Sequence, residues 1–272
     1  MNKSIPTDQF AKEIRYHALK MVYDAKASHI GGALSMADLL AVLYGRVLKF
    51  DPQNPAWDER DRFLLSKGHA CTSLYAALAI AGFYSTEELD TYGKDGSRFI
   101  SHTSHKVPGV EISTGSLGHA LPVGCGIALA AKKKGKSFRT FVLVSDGELD
   151  EGSNWESILF APQHQLDNLV LIVDYNNIQS LGRVEEVLSL EPLDKKFEAF
   201  NWNYRTINGH DHQQIFDALS VKADNNKPSV IIAHTVKGKG VDFMENKLLW
   251  HYKSPDDSQY AEAIKQINSE KN

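Results

Sequence analysis

Cysteine is scarce: Cys71 and Cys125 are the only two in 272 residues. They lie far apart in apolar, helix-like contexts and form no CxxC, which argues against a disulfide scaffold or a thiol-ligated zinc site. Both read as reduced thiols of a cytoplasmic protein. No apolar run reaches the length of a membrane-spanning helix, and the opening MNKSIPTDQF has no apolar signal core. Positive charge is not in excess either. With 30 Lys and Arg against 34 Asp and Glu, the net charge of −4 gives no general attraction to nucleic acid or acidic membranes. The basic run Lys132–Lys134 with Lys136 stands where a helix should end before a strand, and cations there complement the helix dipole. Internal repeats and low-complexity linkers are missing too. What remains has the make-up of a globular protein with a large core, read as one domain over residues 1–272.

The chain is organised around Phe141–Gln179, FVLVSDGELDEGSNWESILFAPQHQLDNLVLIVDYNNIQ. FVLV and NLVLIV are continuous apolar runs rich in β-branched residues, as in strands covered on both faces of a parallel sheet. Between them, Glu151 to about Gln163 predicts the crossover helix. Both strands then end on the same sheet edge, where Asp146 leaves the first and Asn176 the second. A carboxylate and an amide oxygen meeting there suit a hard cation: Mg²⁺ takes about six oxygens, commonly from one or two carboxylates and substrate phosphates. A backbone carbonyl in the turn after Asn176 would add a ligand. Gly147 lets the backbone approach a diphosphate, and the helix start beyond it offers free N–H groups. The alternative is an ordinary α/β turn with Asp146 as helix cap.

Elsewhere, residues 8–26 predict an amphipathic helix with Phe10, Ile14, Ala18, Met21 and Val22 on one stripe. Ser35 with Asp38 reads as a capping box opening a helix to about Lys49, and Ser85 with Glu88 as a second one. FLLS reads as a short buried strand, YRTI and PSVIIAHT as later strands, and EPLDKKFEAFNW and HDHQQIFDAL as helices. The segment after Leu117 should be helical despite Pro122. VDFMENKLLWHYKSP is expected to fold back over the strand ends, and a polar helix or frayed tail to follow Ser258. Strands alternating with helices predict an α/β fold: an open, mostly parallel sheet with helices on both faces. Gly115, Gly118, Gly124 and Gly126 do not make a Rossmann site, because no strand precedes them and no acidic ribose partner follows at the right distance. His102 and His105 admit a zinc pair, but no HExxH or further close ligand supports it. His29, His69, His102 and His251 fall in turns or loops, where imidazoles serve proton transfer and oxyanion binding. Nothing in their spacing makes them meet.

The central run resembles the thiamine diphosphate motif, which opens with G-D-G and closes with N-N; Ser145 stands here for the first glycine. D-G-E-L-D-E-G-S-N-W-E resembles its transketolase version. A-S-H-I-G-G-A-L-S, D-R-F-L-L-S-K-G-H and P-G-V-E-I-S-T-G-S-L-G are similar to three further transketolase motifs, so the resemblance covers roughly residues 10–255.

It implies thiamine diphosphate held with Mg²⁺, for which Ca²⁺ or Mn²⁺ can stand in. Asp146, Asn176 and the Ile178 carbonyl would bind the cation. Gly147 and His69, with Glu148 beside them, would hold the diphosphate, and Gly115, Ser116 and Leu117 would line the aminopyrimidine. His29, His102 and His251 would handle the donor sugar's hydroxyl and carbonyl groups. Glu151 and Glu156 would link to the activating glutamate of a facing chain; complementing a helix dipole is their alternative role. Lys237 would approach the diphosphate, a solvated loop lysine being the alternative. His119 replaces a common Gln, and Tyr252 follows His251 where Gly is frequent.

A full-length transketolase is more than twice this long and adds a pyrimidine-binding domain that supplies the activating glutamate. The resemblance therefore implies the N-terminal subunit of a split transketolase, working with a separate C-terminal chain in an α₂β₂ heterotetramer on small sugars or sugar phosphates. The other readings are the α subunit of a 2-oxo-acid dehydrogenase and a non-catalytic subunit that binds cofactor.

Overall fold

The structure, a computed structural model, describes residues 5–222 and 225–269. Strands β1 (Arg62–Leu65), β2 (Thr140–Ser145), β3 (Leu169–Tyr175), β4 (Asn203–Asn208) and β5 (Ser229–His234) form one sheet in the order β1-β2-β3-β5-β4. Every neighbouring pair is parallel. The expected strands all form.

Because successive strand residues face opposite ways, the sheet feeds two cores. Phe141, Leu143, Val170 and Ile172 enter one. Helices α1 (Thr7–Asp24), α2 (Ile30–Ser35), α3 (Ala37–Val42) and α4 (Cys71–Ile80) cover that face. Val142, Val144, Leu171 and Val173 enter the other, under α5 (Ala120–Lys133), α6 (Gly152–Gln163), α7 (Val184–Val187) and α8 (Leu193–Ala199). Helices α9 (His212–Ser220) and α10 (Asp257–Ser269) return to the first face through Ile215, Leu219, Ala263 and Ile267. Pro122 sits in the first turn of α5, where its missing N–H is no loss. Among the described residues, no helix is long and apolar enough to cross a membrane.

Gly124 sets the approach of α5 to the sheet: a Cβ there would meet Val142 Cγ2 at 2.5 Å. Gly124→Ala is expected to overpack this contact and cost ~1–3 kcal/mol, read as a lower Tm in a thermal melt. An unchanged Tm would mean that the helix is free to lift.

One expected helix is broken. Instead of a single helix from Ser35 to Lys49, α2 ends at Ser35, α3 follows at Ala37, and Leu43–Val47 is a π-helical turn. Ser35 makes no cap; its hydroxyl lies 3.0 Å from the Gly32 carbonyl and 2.6 Å from Asp174 Oδ2. Asp38 is buried and accepts hydrogen bonds from Arg15, His210 Nδ1 and His212 Nε2. A buried carboxylate must be paired, and these remote partners outweigh a local capping box. The Ser85–Glu88 box is present, on a 3₁₀ turn over Thr86–Thr91. A 3₁₀ turn over Gly147–Asp150 precedes the crossover helix, which Glu151 caps.

Candidate active site

The carboxyl ends of β2, β3 and β5 open into a cavity of about 230 Å³. This is the edge at which parallel α/β sheets bind ligands. Asp146 follows β2, is 1% exposed, and accepts hydrogen bonds from the backbone N–H of Gly147 (2.7 Å) and of Asn177 (2.6 Å). The second bond ties the two strand ends together. Asn177 takes a left-handed φ of 64° to make that turn. Asn176 Oδ1 accepts from the Ile178 N–H at 3.2 Å, and the Ile178 carbonyl accepts from Lys237 Nζ at 2.9 Å.

Four imidazoles enter the same cavity. The ring of His29 lies 5.0 Å from His69, 4.9 Å from His251 and 6.3 Å from His102, centroid to centroid. His29 caps α2 in a left-handed conformation, φ 70°, and donates its backbone N–H to the His251 carbonyl at 2.9 Å. His69 sits in a 3₁₀ turn after β1, and His251 ends another, Leu248–His251, which folds back over the strand ends as expected. Tyr252 points outward and donates to the Ser180 carbonyl at 2.8 Å, fastening that segment to the loop after β3.

Burial sets the protonation of the site. It pushes the Asp146 carboxyl up to about 6, and neighbouring Asp174 adds to the shift. It lowers Lys237 to about 8, against the pull of Asp146. His29 falls to about 4 and His251 to about 3 through burial first; His102 then adds to the shift on His29 and Lys237 to that on His251. His69 is likewise held well below the ordinary histidine range. At neutral pH these three rings are uncharged, each with one donor and one acceptor nitrogen.

A family profile described as "Transketolase, thiamine diphosphate binding domain" matches residues 7–268. The chain belongs to the transketolase family. It is 43% identical over 255 residues to a subunit of the apulose-4-phosphate transketolase of Phocaeicola vulgatus, covering 93% of this chain and 91% of that one. It is 39% identical over 262 residues to 6-deoxy-6-sulfo-D-fructose transketolase subunit SqwG of a Clostridium species, covering 96% and 95%. The crystal structure of transketolase from Campylobacter jejuni superposes with a TM-score of 0.90 at 34% identity over 96% of this chain. The chain spans 42% of that transketolase's length.

The transketolase resemblance proposed a set of site residues, and the fold places them unevenly. Asp146, Gly147, Asn176, Ile178, Gly115, Leu117, Lys237 and the four histidines line the cavity. Ser116 is exposed between two lining residues. Lys237 is 3% exposed, so the solvated-lysine alternative is corrected. Glu148 is corrected as well: it does not line the cavity. Its buried carboxylate accepts from Ser66 Oγ and from the Gly118 N–H at 2.8 Å, bracing the turn that carries Gly115 to Leu117. Glu151 and Glu156 lie exposed on the surface at the start of α6. Ser145 turns its hydroxyl back to the Glu148 N–H at 3.2 Å, and His119 is exposed at the start of α5. His105 bonds Ser113 at 2.8 Å and does not line the cavity.

Lys67, Gly32, Gln179 and Ser180 also line the cavity and were missed. Lys67 stood inside the quoted D-R-F-L-L-S-K-G-H motif, which was the available signal. The donor set fits a diphosphate bound through a hard cation. Asp146, Asn176 Oδ1 and the Ile178 carbonyl are hard oxygens of the kind Mg²⁺ prefers. Among the described residues, one buried polar atom of the lining, His29 Nδ1, has no hydrogen-bond partner. Gly147 has Gln179 Cγ only 2.9 Å from where its Cβ would be, so a side chain there would have to displace Gln179.

Proposed function

We propose that this chain is the N-terminal subunit of a two-chain transketolase. The observation that carries the reading is the convergence of the Asp146–Asn176–Ile178 oxygens and four imidazoles on one cavity, in a chain similar over nearly its whole length to two proteins named as transketolase subunits. Asp146, Asn176 and the Ile178 carbonyl would hold Mg²⁺. Gly147, His69 and Lys237 would hold the diphosphate. Gly115 to Leu117 would back the aminopyrimidine. Bound thiamine diphosphate supplies a carbon nucleophile and electron sink for moving a two-carbon ketol unit from a ketose to an aldose. The chain's own part is to bind and orient. His29, His102 and His251 would hold the donor's hydroxyl and carbonyl oxygens and exchange protons with them.

The names of the two relatives carry a phosphate and a sulfo group on the sugar, and an anionic sugar is the substrate class proposed here. Glu151 and Glu156, exposed at the start of α6, would meet a partner chain that brings the pyrimidine-binding domain and its activating glutamate, in an α₂β₂ assembly. Buried, separate Cys71 and Cys125 suit a reducing cytoplasm. The test is reconstitution. The purified chain is mixed with increasing amounts of a C-terminal transketolase subunit, with thiamine diphosphate and Mg²⁺ present. Ketol transfer is expected to be absent without the partner and to saturate at equal stoichiometry. Full transfer by the chain alone would overturn the split-enzyme reading.

A further inference from the structure

Where Lys67 lines the cavity it forms an ion pair that none of these roles uses. Lys67, from the turn after β1, meets Asp174, the second-last residue of β3, with the two side chains 1% and 0% exposed. β2 lies between β1 and β3, so the pair reaches across the end of the strand that delivers Asp146. Burying two charges is costly, and pairs of this kind are often matched or bettered in stability by well-packed neutral residues. Stability alone is a weak reason for its presence.

We infer that the Lys67–Asp174 pair is a positioning device for the cation and diphosphate; the inference rests on the cofactor reading above. Its contacts lead to the site from every side. Lys67 Nζ donates to the Gly32 carbonyl at 2.7 Å, in the helix that His29 caps. Asp174 Oδ1 accepts from Thr235 Oγ1, two residues before Lys237. Asp174 Oδ2 lies 2.6 Å from Ser35 Oγ and 3.5 Å from Asn176 Nδ2. The segments bearing His29, His69, Asn176 and Lys237 are therefore fastened to one buried pair.

The contact with Asn176 carries the chemistry. A side-chain amide has two faces, and its environment decides which way it points. A carboxylate only accepts, so the Asn176 NH₂ faces Asp174 and the oxygen is left for Ile178 N–H and a cation. Lys67 Nζ and the Ser35 and Thr235 hydroxyls all donate to that carboxylate and fix where it stands. Groups that orient metal ligands in this way typically affect metal affinity by about 10–100-fold.

The test separates positioning from scaffolding. Lys67→Met combined with Asp174→Asn removes both charges together and leaves no unpaired charge in the core. The double variant is expected to melt within a few degrees of wild type yet to bind Mn²⁺ with inorganic diphosphate about 10–100-fold more weakly, read from the electron paramagnetic resonance of free Mn²⁺. A folded double variant with unchanged affinity would overturn the inference. Asp174→Glu supplies a second reading that keeps the charge and moves the carboxylate by one methylene. It should fold and still lose affinity, and unchanged affinity there would overturn the inference equally. If wild type itself takes up no Mn²⁺ and diphosphate, the cofactor reading falls first.

Discussion

Asp146→Ala is expected to abolish cation-dependent uptake of thiamine diphosphate. Changes behind a metal ligand already cost about 10–100-fold, and removal of the proposed cation site's carboxylate ligand should exceed that range. Two effects add. The charge that attracts the cation is lost, and the Gly147 and Asn177 N–H groups lose the acceptor that draws the ends of β2 and β3 together. Asp146→Asn separates them, since one amide oxygen still serves one of those N–H groups. Its carboxyl is held up at about 6 by burial and by Asp174, against an ordinary 3.8. A raised carboxyl costs the ligand-free fold stability above pH 3.8, so the asparagine variant should melt no lower than wild type at pH 7. It should also lose the rise in Tm that ligand and Mg²⁺ produce in wild type. Stability kept and ligand response lost is the expected signature of a binding carboxylate. Wild-type affinity in the alanine variant would remove the core of the site. Cation uptake should also strengthen as pH rises through about 6, where Asp146 gives up its proton.

The sheet is legible in the sequence because burial on both faces demands apolar runs, and FVLV, NLVLIV and PSVIIAHT have little else to become. Asp146 and Asn176 are legible for the same reason: two parallel strands joined by one helix must end on one edge. The break between α2 and α3 is not, because Asp174, Arg15, His210 and His212 decide it from far along the chain. Spacing says nothing of the histidine cluster either. His29, His69, His102 and His251 come from separate loops, and only the resemblance to transketolase put them together in advance. Nothing in the sequence marks Lys67 and Asp174 as a buried pair either, since lysines and aspartates are usually solvated. Their burial is a property of the assembled layers. Glu148 misleads in the opposite way: it sits inside the diphosphate motif, yet the 3₁₀ turn rotates it to Ser66 and Gly118.

His29→Ala is expected to lower kcat/KM for ketol transfer by about 10²–10⁴-fold in the two-chain enzyme, the range for a positioned proton-transfer group. Among the described residues its Nδ1 has no hydrogen-bond partner, and the ring is neutral, so it can bind a sugar oxygen without first shedding a proton. Stability should register the same burial. Folded His29 and His251 titrate near 4 and 3, and His69 is also depressed, against 6.5 when unfolded. Below pH 6.5 the unfolded chain therefore binds protons that the folded chain refuses, and stability falls as pH drops. Asp146 and Glu148, raised to about 6, take up protons in the folded state over the same range and offset part of this trend. Each of these histidines contributes to the loss of Tm as pH falls below 6.5. Removing one of them in His29→Ala should make that slope shallower while the neutral-pH Tm holds. An unaltered slope would mean that His29 is charged or solvated in the folded chain. Wild-type kcat/KM in the assembled variant would leave the ring no part in handling the donor sugar.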